Sequence, residues 1–483
     1  MNYEGPQETR YLDGAALSLA IEKIAREETD QTKLRAGVLA AVKTAFGNAR
    51  EAVKTDTLEH GLHGLDAARA LSAVQDTTVR AIYAFAVDRF FRTDDPLAAE
   101  NLAVVATGGY GRGELAPGSD IDLLFIRSPK QKAWGENVIE FILYMLWDLG
   151  LKVGHATRSL SECVRLAKLD NTIRTALLEA RFIAGDKTLY DGLHARFWTE
   201  IATGNGRDFV ESKLAERDER HRHQGECRYL VEPNIKEGKG GLRDLQTLYW
   251  IGKYLYHVYD AAELVRYNVF TREEFETFEK AEAFLWNVRV HLHYLVGRAE
   301  ERLSFDVQPA LAAALGFTDD NPREAVEKFM RAYFLVAKDV GDLTRIFCAA
   351  LEVQNRKKRE GLTRILPGFL RPRAPDDDFF VETGRLNARD DVFARDPVAF
   401  LRIFHLADEK SVDIHPHALR TITRQLHLID DDLRNDAQAN RLFMATLSSR
   451  NRPEWALRLM NEAGVLGRFV PEFGRIVALK IGR

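Results

Sequence analysis

The strongest constraint on this chain is the run Thr107-Gly-Gly-Tyr-Gly-Arg-Gly-Glu-Leu-Ala-Pro-Gly-Ser-Asp-Ile-Asp-Leu123. It starts where a short β-branched run, Leu102–Thr107, stops at a Gly108-Gly109 turn. It ends where Asp120–Ile126 opens a second apolar run, closed by Ser128-Pro129. Asp120 and Asp122 are two apart, so on a strand their side chains leave the same face. Two carboxylates this close repel each other and are not normally buried together without a cation. Mg²⁺, a hard ion that takes carboxylate and phosphate oxygens, resolves that repulsion. Glycines at 108 and 109 let backbone N–H groups approach a phosphate chain with no side chain in the way.

The surrounding pattern makes this run the centre of a small α/β unit. A helix follows it, with Val138, Ile142, Met145, Leu146 and Leu149 on one face and Gly150 as its cap. Leu151–Thr157 then reads as a third strand. Residues 1–95 read as helical, with a stripe of Val79, Ile82, Tyr83, Ala86 and Phe90 ended by Thr93-Asp-Asp-Pro96. Beyond about residue 160 the pattern is again helical. Thr271 and Glu274 form a capping box, and Phe284, Val288, Leu292 and Leu295 form an apolar stripe behind it. The predicted division is a helical region at 1–95, an α/β domain at 96–200, a helical domain at 201–355, a charged and proline-containing linker at 356–378, and a helical region at 379–483.

Composition excludes several classes. The 68 basic and 72 acidic residues give a net charge of −4, so the chain is no polycation suited to nucleic acid or an anionic membrane. The longest run without Asp, Glu, Lys or Arg, Val307–Thr318, is 12 residues, short of the roughly 20 that a spanning helix needs. The first residues, MNYEGPQETR, lack the order of a signal peptide. Cys163, Cys227 and Cys348 are too scattered for a disulfide framework or a metal site. These features predict a cytoplasmic protein whose partners are small phosphorylated ligands or other proteins.

A lone D-x-D is commonly an exposed strand edge, and a lone pair of glycines is commonly a turn. Five glycines around Arg112 and Glu114, feeding an apolar strand that opens with D-x-D, are far more specific. The run resembles the nucleotidyltransferase superfamily that includes DNA polymerase β. It is most similar to the bacterial PII uridylyltransferase/uridylyl-removing enzymes, and Glu232-Pro-Asn-Ile-Lys-Glu-Gly-Lys-Gly-Gly-Leu-Arg-Asp-Leu-Gln246 supports the same resemblance. The resemblance implies a mostly helical α+β fold, with a polymerase β-like α/β core between helical domains. It also implies transfer of UMP from UTP to a tyrosine of the nitrogen regulator PII, releasing pyrophosphate. Asp120 and Asp122 would hold Mg²⁺, and Gly108 and Gly109 would receive the triphosphate. Arg112 would contact phosphate or instead pair with Glu114, and Lys236, Lys239 and Arg243 would contact nucleotide.

Two departures from the family pattern stand out. The superfamily usually has a third carboxylate on the strand after D-x-D, yet Leu151–Thr157 carries only Lys152 and His155. Asp170 and Glu179 are the alternatives. The family also continues into an HD phosphohydrolase domain and two ACT domains, whereas this sequence stops near the approach to the HD site, in LKIGR. Residues from about 379 are therefore expected to be an incomplete HD-type domain with exposed apolar surface. None of the 13 histidines is followed by Asp; His221/His223 and His415/His417 read as surface or loop groups, and His291 and His293, two apart on a predicted helix, lie on different faces. UMP removal and a glutamine response are accordingly expected to be absent. Two other readings stay open: an adenylyltransferase acting on glutamine synthetase, and a non-catalytic PII-binding fragment.

Overall fold

A computed structural model describes residues 10–92, 102–128, 133–225, 230–258, 261–363, 378–382 and 385–474. The chain divides into two compact units, one of residues 1–219, 249–259 and 282–316, the other of residues 220–248, 260–281 and 317–483. The fold is mostly helical α+β, as the sequence pattern predicts.

The first unit opens with three helices, α1 (Gly14–Glu27), α2 (Gln31–Glu59) and α3 (Gly64–Phe85). Asp13 and Asp30 cap the first two, Asp13 accepting from the N–H groups of Ala15 and Ala16 and Asp30 from that of Lys33. In α2 the buried residues Val38, Val42, Phe46, Ala49 and Val53 recur at three- and four-residue spacing, which lines one face. The stripe predicted in α3 buries Val79, Ile82 and Ala86, and the helix runs on as a π turn at Ala86–Phe90. The predicted stop at Thr93–Pro96 lies outside the described residues.

Four strands follow: β1 (Leu102–Thr107), β2 (Ile121–Arg127), β3 (Val153–Ser159) and β4 (Arg181–Gly185), in sheet order β3-β2-β1-β4. β1 pairs antiparallel with both β2 and β4, while β2 and β3 run parallel across the helix Ala133–Asp148. Every residue of β1 is buried, which explains its unbroken apolar run. One face of the sheet turns Ala103, Val105, Leu124 and Ile126 onto Cys163, Val164, Leu177, Leu178, Leu193 and Phe197. Phe141 of the helix Ala133–Asp148 meets Phe85, Phe90 and Phe91 at ring-centroid distances of 5.9, 4.6 and 5.6 Å. Burying side chains of this size contributes about 1.5–3 kcal/mol each. β4 corrects the helical reading beyond residue 160. Its five residues begin with Arg and end with Gly, too short and polar at the ends for an alternating pattern to show.

The second unit contains the 42-residue helix Pro322–Thr363 and a packed region at 379–469. The helix extends into the segment read as linker, because no proline occurs between Pro322 and Pro367; residues 364–377 lie outside the described set. The C-terminal region buries Phe393, Phe400, Ile403, Phe404, Ile422 and Val465 in a core of its own. It also carries a three-stranded sheet, β5 (Phe379–Glu382), β6 (Arg385–Ala388) and β7 (Asp413–Ile414), where the sequence reads as helical throughout. Strands of four residues or fewer leave too little alternation to detect. The predicted capping box is present, with Thr271 N–H donating to Glu274 at 2.8 Å and Glu274 N–H to Thr271 Oγ1 at 3.2 Å. Among the described residues no helix is long and apolar enough to cross a membrane.

Asp244 anchors the glycine-rich segment at 234–244 in this unit. It accepts from Arg220 Nη2 at 2.6 Å, from His221 Nε2 at 2.9 Å and from Gly240 N–H at 2.8 Å. Burial pushes its carboxyl up, but the hydrogen bond and charge of His221, with Arg220 and the Gly240 amide, outweigh that and hold it at about 2. A depressed carboxyl stabilises the fold fully above its unfolded pKa and loses that contribution as pH falls through the folded value. The titrating part is about 2 kcal/mol. The stability gap between wild type and Asp244→Asn should therefore shrink as pH falls from about 4 towards 2, read as unfolding free energies in urea; a constant gap would contradict the assignment.

Candidate active site

β1 delivers its last residue, Thr107, opposite Asp122 of β2, and β3 places Gly154 opposite Asp122 on the other side. Asp120 stands one residue before β2, not inside it as the sequence suggested. Asp120 and Asp122 are both exposed, and Ile121 between them is buried, the alternation that a same-face pairing requires. A Cβ at Gly108 would lie 3.0 Å from Asp122 Oδ2, and one at Gly154 would lie 2.4 Å from Asp122 Oδ1. The carboxylate is thus seated between two residues that have no side chain. Gly108 also has φ +60°, a conformation that favours glycine. Gly154 is a site residue that sequence reasoning missed. Its only signal is a glycine inside a strand pattern, which marks close approach of another group.

The turn after β1 is pinned from below. Arg181 of β4 donates to the carbonyls of Tyr110 and Gly111 at 2.9 and 3.2 Å, and its guanidinium pairs with Asp76 of α3 at 2.5 and 3.1 Å. Arg112, expected at phosphate or on Glu114, is nearly buried and pairs with two acids: Glu179 at 2.5 Å and Glu114 at 3.3 Å. Burial disfavours its charge, but Glu179 and Glu114 more than compensate and raise it above the usual guanidinium range. Glu179 also accepts from Trp250 Nε1. Nearby, burial pushes the Lys253 ammonium down, Glu179 opposing and Arg112 adding to that shift.

These contacts bear on the third carboxylate. Glu179 is 4% exposed and serves as the counter-ion of Arg112. Asp170 caps the helix Asn171–Leu178, accepting from Thr172 and Ile173 N–H, which lowers its carboxyl. Glu179 is thus committed to an ion pair and one oxygen of Asp170 to a helix cap. Among the described residues no group of three or more His, Cys, Asp or Glu forms a metal cluster.

Lys236, Lys239 and Arg243 lie in the second unit, each with an acidic neighbour. Lys239 meets Glu462 at 2.6 Å, Arg243 meets Glu237 at 3.1 Å, and Lys236 approaches Glu237 at 4.0 Å. The segment's cations therefore have structural roles available without any phosphate. The histidines need correction as well. His221 is tied to Asp244, while His415 is 7% exposed and caps the helix Pro416–Arg424, so neither is a surface group. Each fills a polar socket that composition cannot reveal.

Family comparisons match this geometry. A nucleotidyltransferase domain model covers residues 88–183, which include the glycine turn, both aspartates and Gly154. A GlnD PII-uridylyltransferase model covers residues 208–348, and a uridylyltransferase GlnD third-domain model covers residues 379–469. The chain belongs with the GlnD-type PII uridylyltransferases. Its α/β core is the nucleotidyltransferase domain of that family, and the packed region from residue 379 corresponds to the GlnD third domain. The chain is accordingly a transferase of the nucleotidyl class.

The donor set suits a divalent cation of the Mg²⁺ type. Two exposed carboxylates two residues apart, Asp122 flanked by glycines, are the one-or-two-carboxylate arrangement in which substrate phosphates complete the coordination. Gly154→Ala tests the seat. The atom it would meet is the end of a flexible side chain, so Asp122 rotates away and the fold survives. Pyrophosphate release should fall about a hundredfold with little change in melting temperature. Unchanged turnover would show that Asp122 does not need this position.

Proposed function

We propose that this chain transfers UMP from UTP to a tyrosine hydroxyl of a PII protein, releasing pyrophosphate, and that it works in the cytoplasm. The observation that carries the reading is the Asp122 carboxylate seated between Gly108 and Gly154, beside Asp120, within the nucleotidyltransferase match. The uracil base and the PII acceptor come from the GlnD-type matches to residues 208–348 and 379–469.

In this reading Asp120 and Asp122 hold Mg²⁺. When bound, the ion supplies positive charge to the substrate phosphates and to the departing pyrophosphate. The chain's own residues do the rest. Gly108 and Gly109 admit the triphosphate to the backbone, and Arg181 keeps the turn in place through the Tyr110 and Gly111 carbonyls. Arg112 supports the site from beneath through Glu179 and Glu114 and does not itself reach for phosphate. We assign Lys236, Lys239 and Arg243 to holding their own segment together, on the strength of their acidic neighbours.

Labelled UTP, labelled ATP and purified PII in Mg²⁺ test the reading. Label from UTP should pass to PII, and Asp120→Asn or Asp122→Asn should each cut transfer by at least about a hundredfold while the fold persists. Transfer from ATP to glutamine synthetase would replace it with the adenylyltransferase reading. No transfer by a folded chain would leave a PII-binding module.

We further propose that these residues do not remove UMP from modified PII, because none of the 13 histidines is followed by Asp. Uridylylated PII incubated with the chain, Mn²⁺ and glutamine should release no UMP above a no-enzyme control; release would defeat this part.

A further inference from the structure

The segment that leads into Asp120 is held at almost every residue. Leu115 N–H donates to Ala68 O at 3.1 Å, Ser119 N–H to Ala116 O at 3.0 Å, and Ile121 N–H to Lys152 O at 3.0 Å. Arg50 Nη2 donates to Pro117 O at 2.5 Å. The remaining contacts come from one helix face of the same unit. His293 Nδ1 accepts from Gly118 N–H at 3.1 Å, and Arg289 Nη2 reaches Ser119 Oγ at 3.5 Å.

Arg289 and His293 are four apart on a helix and so share a face. They are 6% and 2% exposed. Glu301 meets both: its carboxylate accepts from Arg289 Nη2 at 2.6 Å and from Nε at 3.0 Å, and lies 3.6 Å from His293 Nε2. A histidine that accepts at Nδ1 carries its proton on Nε2; here Nε2 makes no hydrogen bond but faces the Glu301 carboxylate at 3.6 Å, whose charge favours the tautomer that Gly118 needs. Burial raises the Glu301 carboxyl, but His293 and Arg289 outweigh it and hold it at about 2, keeping that acid ionised. Gly118 also leaves no room for drift, since a Cβ there would lie 2.4 Å from Ala299 N.

An apolar contact would pack this loop without the desolvation cost of a buried ion pair. We infer that Arg289, His293 and Glu301 are positioning residues that fix the Gly118–Ser119 backbone, and through it the Asp120 carboxylate, as a metal ligand. They touch neither substrate nor metal. Groups that orient a ligand from behind typically change metal affinity about 10–100-fold when removed. The inference rests on the proposed metal role of Asp120 and Asp122.

The test measures Mn²⁺ alone by EPR, with no nucleotide and no turnover, on wild type, His293→Leu, His293→Asn, Ser119→Ala and Asp122→Asn. Asparagine keeps an acceptor near the Nδ1 position, whereas leucine removes it. His293→Leu should weaken Mn²⁺ binding about tenfold, and His293→Asn should restore most of the loss. In turnover, His293→Leu should lower kcat and raise the Mg²⁺ needed for half-maximal rate, leaving KM for PII unchanged. Ser119→Ala, a mild change that any fold tolerates, should weaken Mn²⁺ binding to a smaller extent and covers the case in which His293→Leu does not fold. If Asp122→Asn loses Mn²⁺ while His293→Leu and Ser119→Ala bind it as wild type does, the positioning role is overturned and the metal site stands. If Asp122→Asn binds Mn²⁺ normally, the metal site itself fails and takes this inference with it. Equal Mn²⁺ loss in the leucine and asparagine variants would reduce His293 to packing and also overturn the inference.

Discussion

Like charge crowded at one strand start is the constraint around which the nucleotidyltransferase core is built. Residues two apart on a strand lie about 6.6 Å from each other along it. At that separation two carboxylates repel by about 0.6 kcal/mol in water, but by about 2.5 kcal/mol at the effective dielectric of a protein surface. The repulsion is therefore tolerable only at an exposed strand start. Asp120 and Asp122 sit there, while Leu123, Leu124, Phe125 and Ile126 of the same run are buried. The sheet register completes the arrangement. The antiparallel β1–β2 pairing brings the turn glycine to Asp122 from one side, and the parallel β2–β3 pairing brings Gly154 from the other.

Several charges buried in the same unit follow the opposite rule and meet a counter-ion. Arg112 lies against Glu179 and Glu114, Arg181 against Asp76, and Arg289 against Glu301. Removing one partner of such a pair leaves an uncompensated charge and typically costs about 3–5 kcal/mol. That makes these pairs a rigid support rather than a reactive set. It also explains why Glu179, acidic and close to the turn, is a poor candidate for a third ligand.

The glycine turn, the D-x-D strand and their neighbouring helix were legible because each is a local pattern: a β-branched run, a glycine cluster, a 3.6-residue stripe. The partners of Arg112 were only half legible. Glu114 is two residues away and suggests itself, but Glu179 is 67 residues distant and meets Arg112 only once β4 joins the sheet beside β1. β4 was itself invisible, since five residues beginning with Arg and ending with Gly give no period. The same limit hid Arg181 and His293, whose roles are set by which backbone groups the fold brings to them. In the second unit, Lys236, Lys239 and Arg243 looked like a phosphate cradle because sequence shows a cluster of cations but not Glu462, 223 residues from Lys239.

The glycines of the site separate into two kinds by what a Cβ would strike. At Gly111 it would lie 2.2 Å from the Glu179 carbonyl oxygen, and at Gly118 it would lie 2.4 Å from the Ala299 nitrogen. Both obstacles are backbone, which cannot move without shifting the element that carries it, so those positions guard the fold. At Gly108 and Gly154 the obstacle is the end of the Asp122 side chain, which can rotate, so those positions guard the direction of one carboxylate. A single glycine-rich motif thus carries two separable demands. The demand on Asp122 is shared with a glycine 32 residues beyond it, on a different strand. The specificity of the motif therefore lies in the sheet register that brings Gly108 and Gly154 to the same carboxylate as much as in the spacing of the glycines themselves.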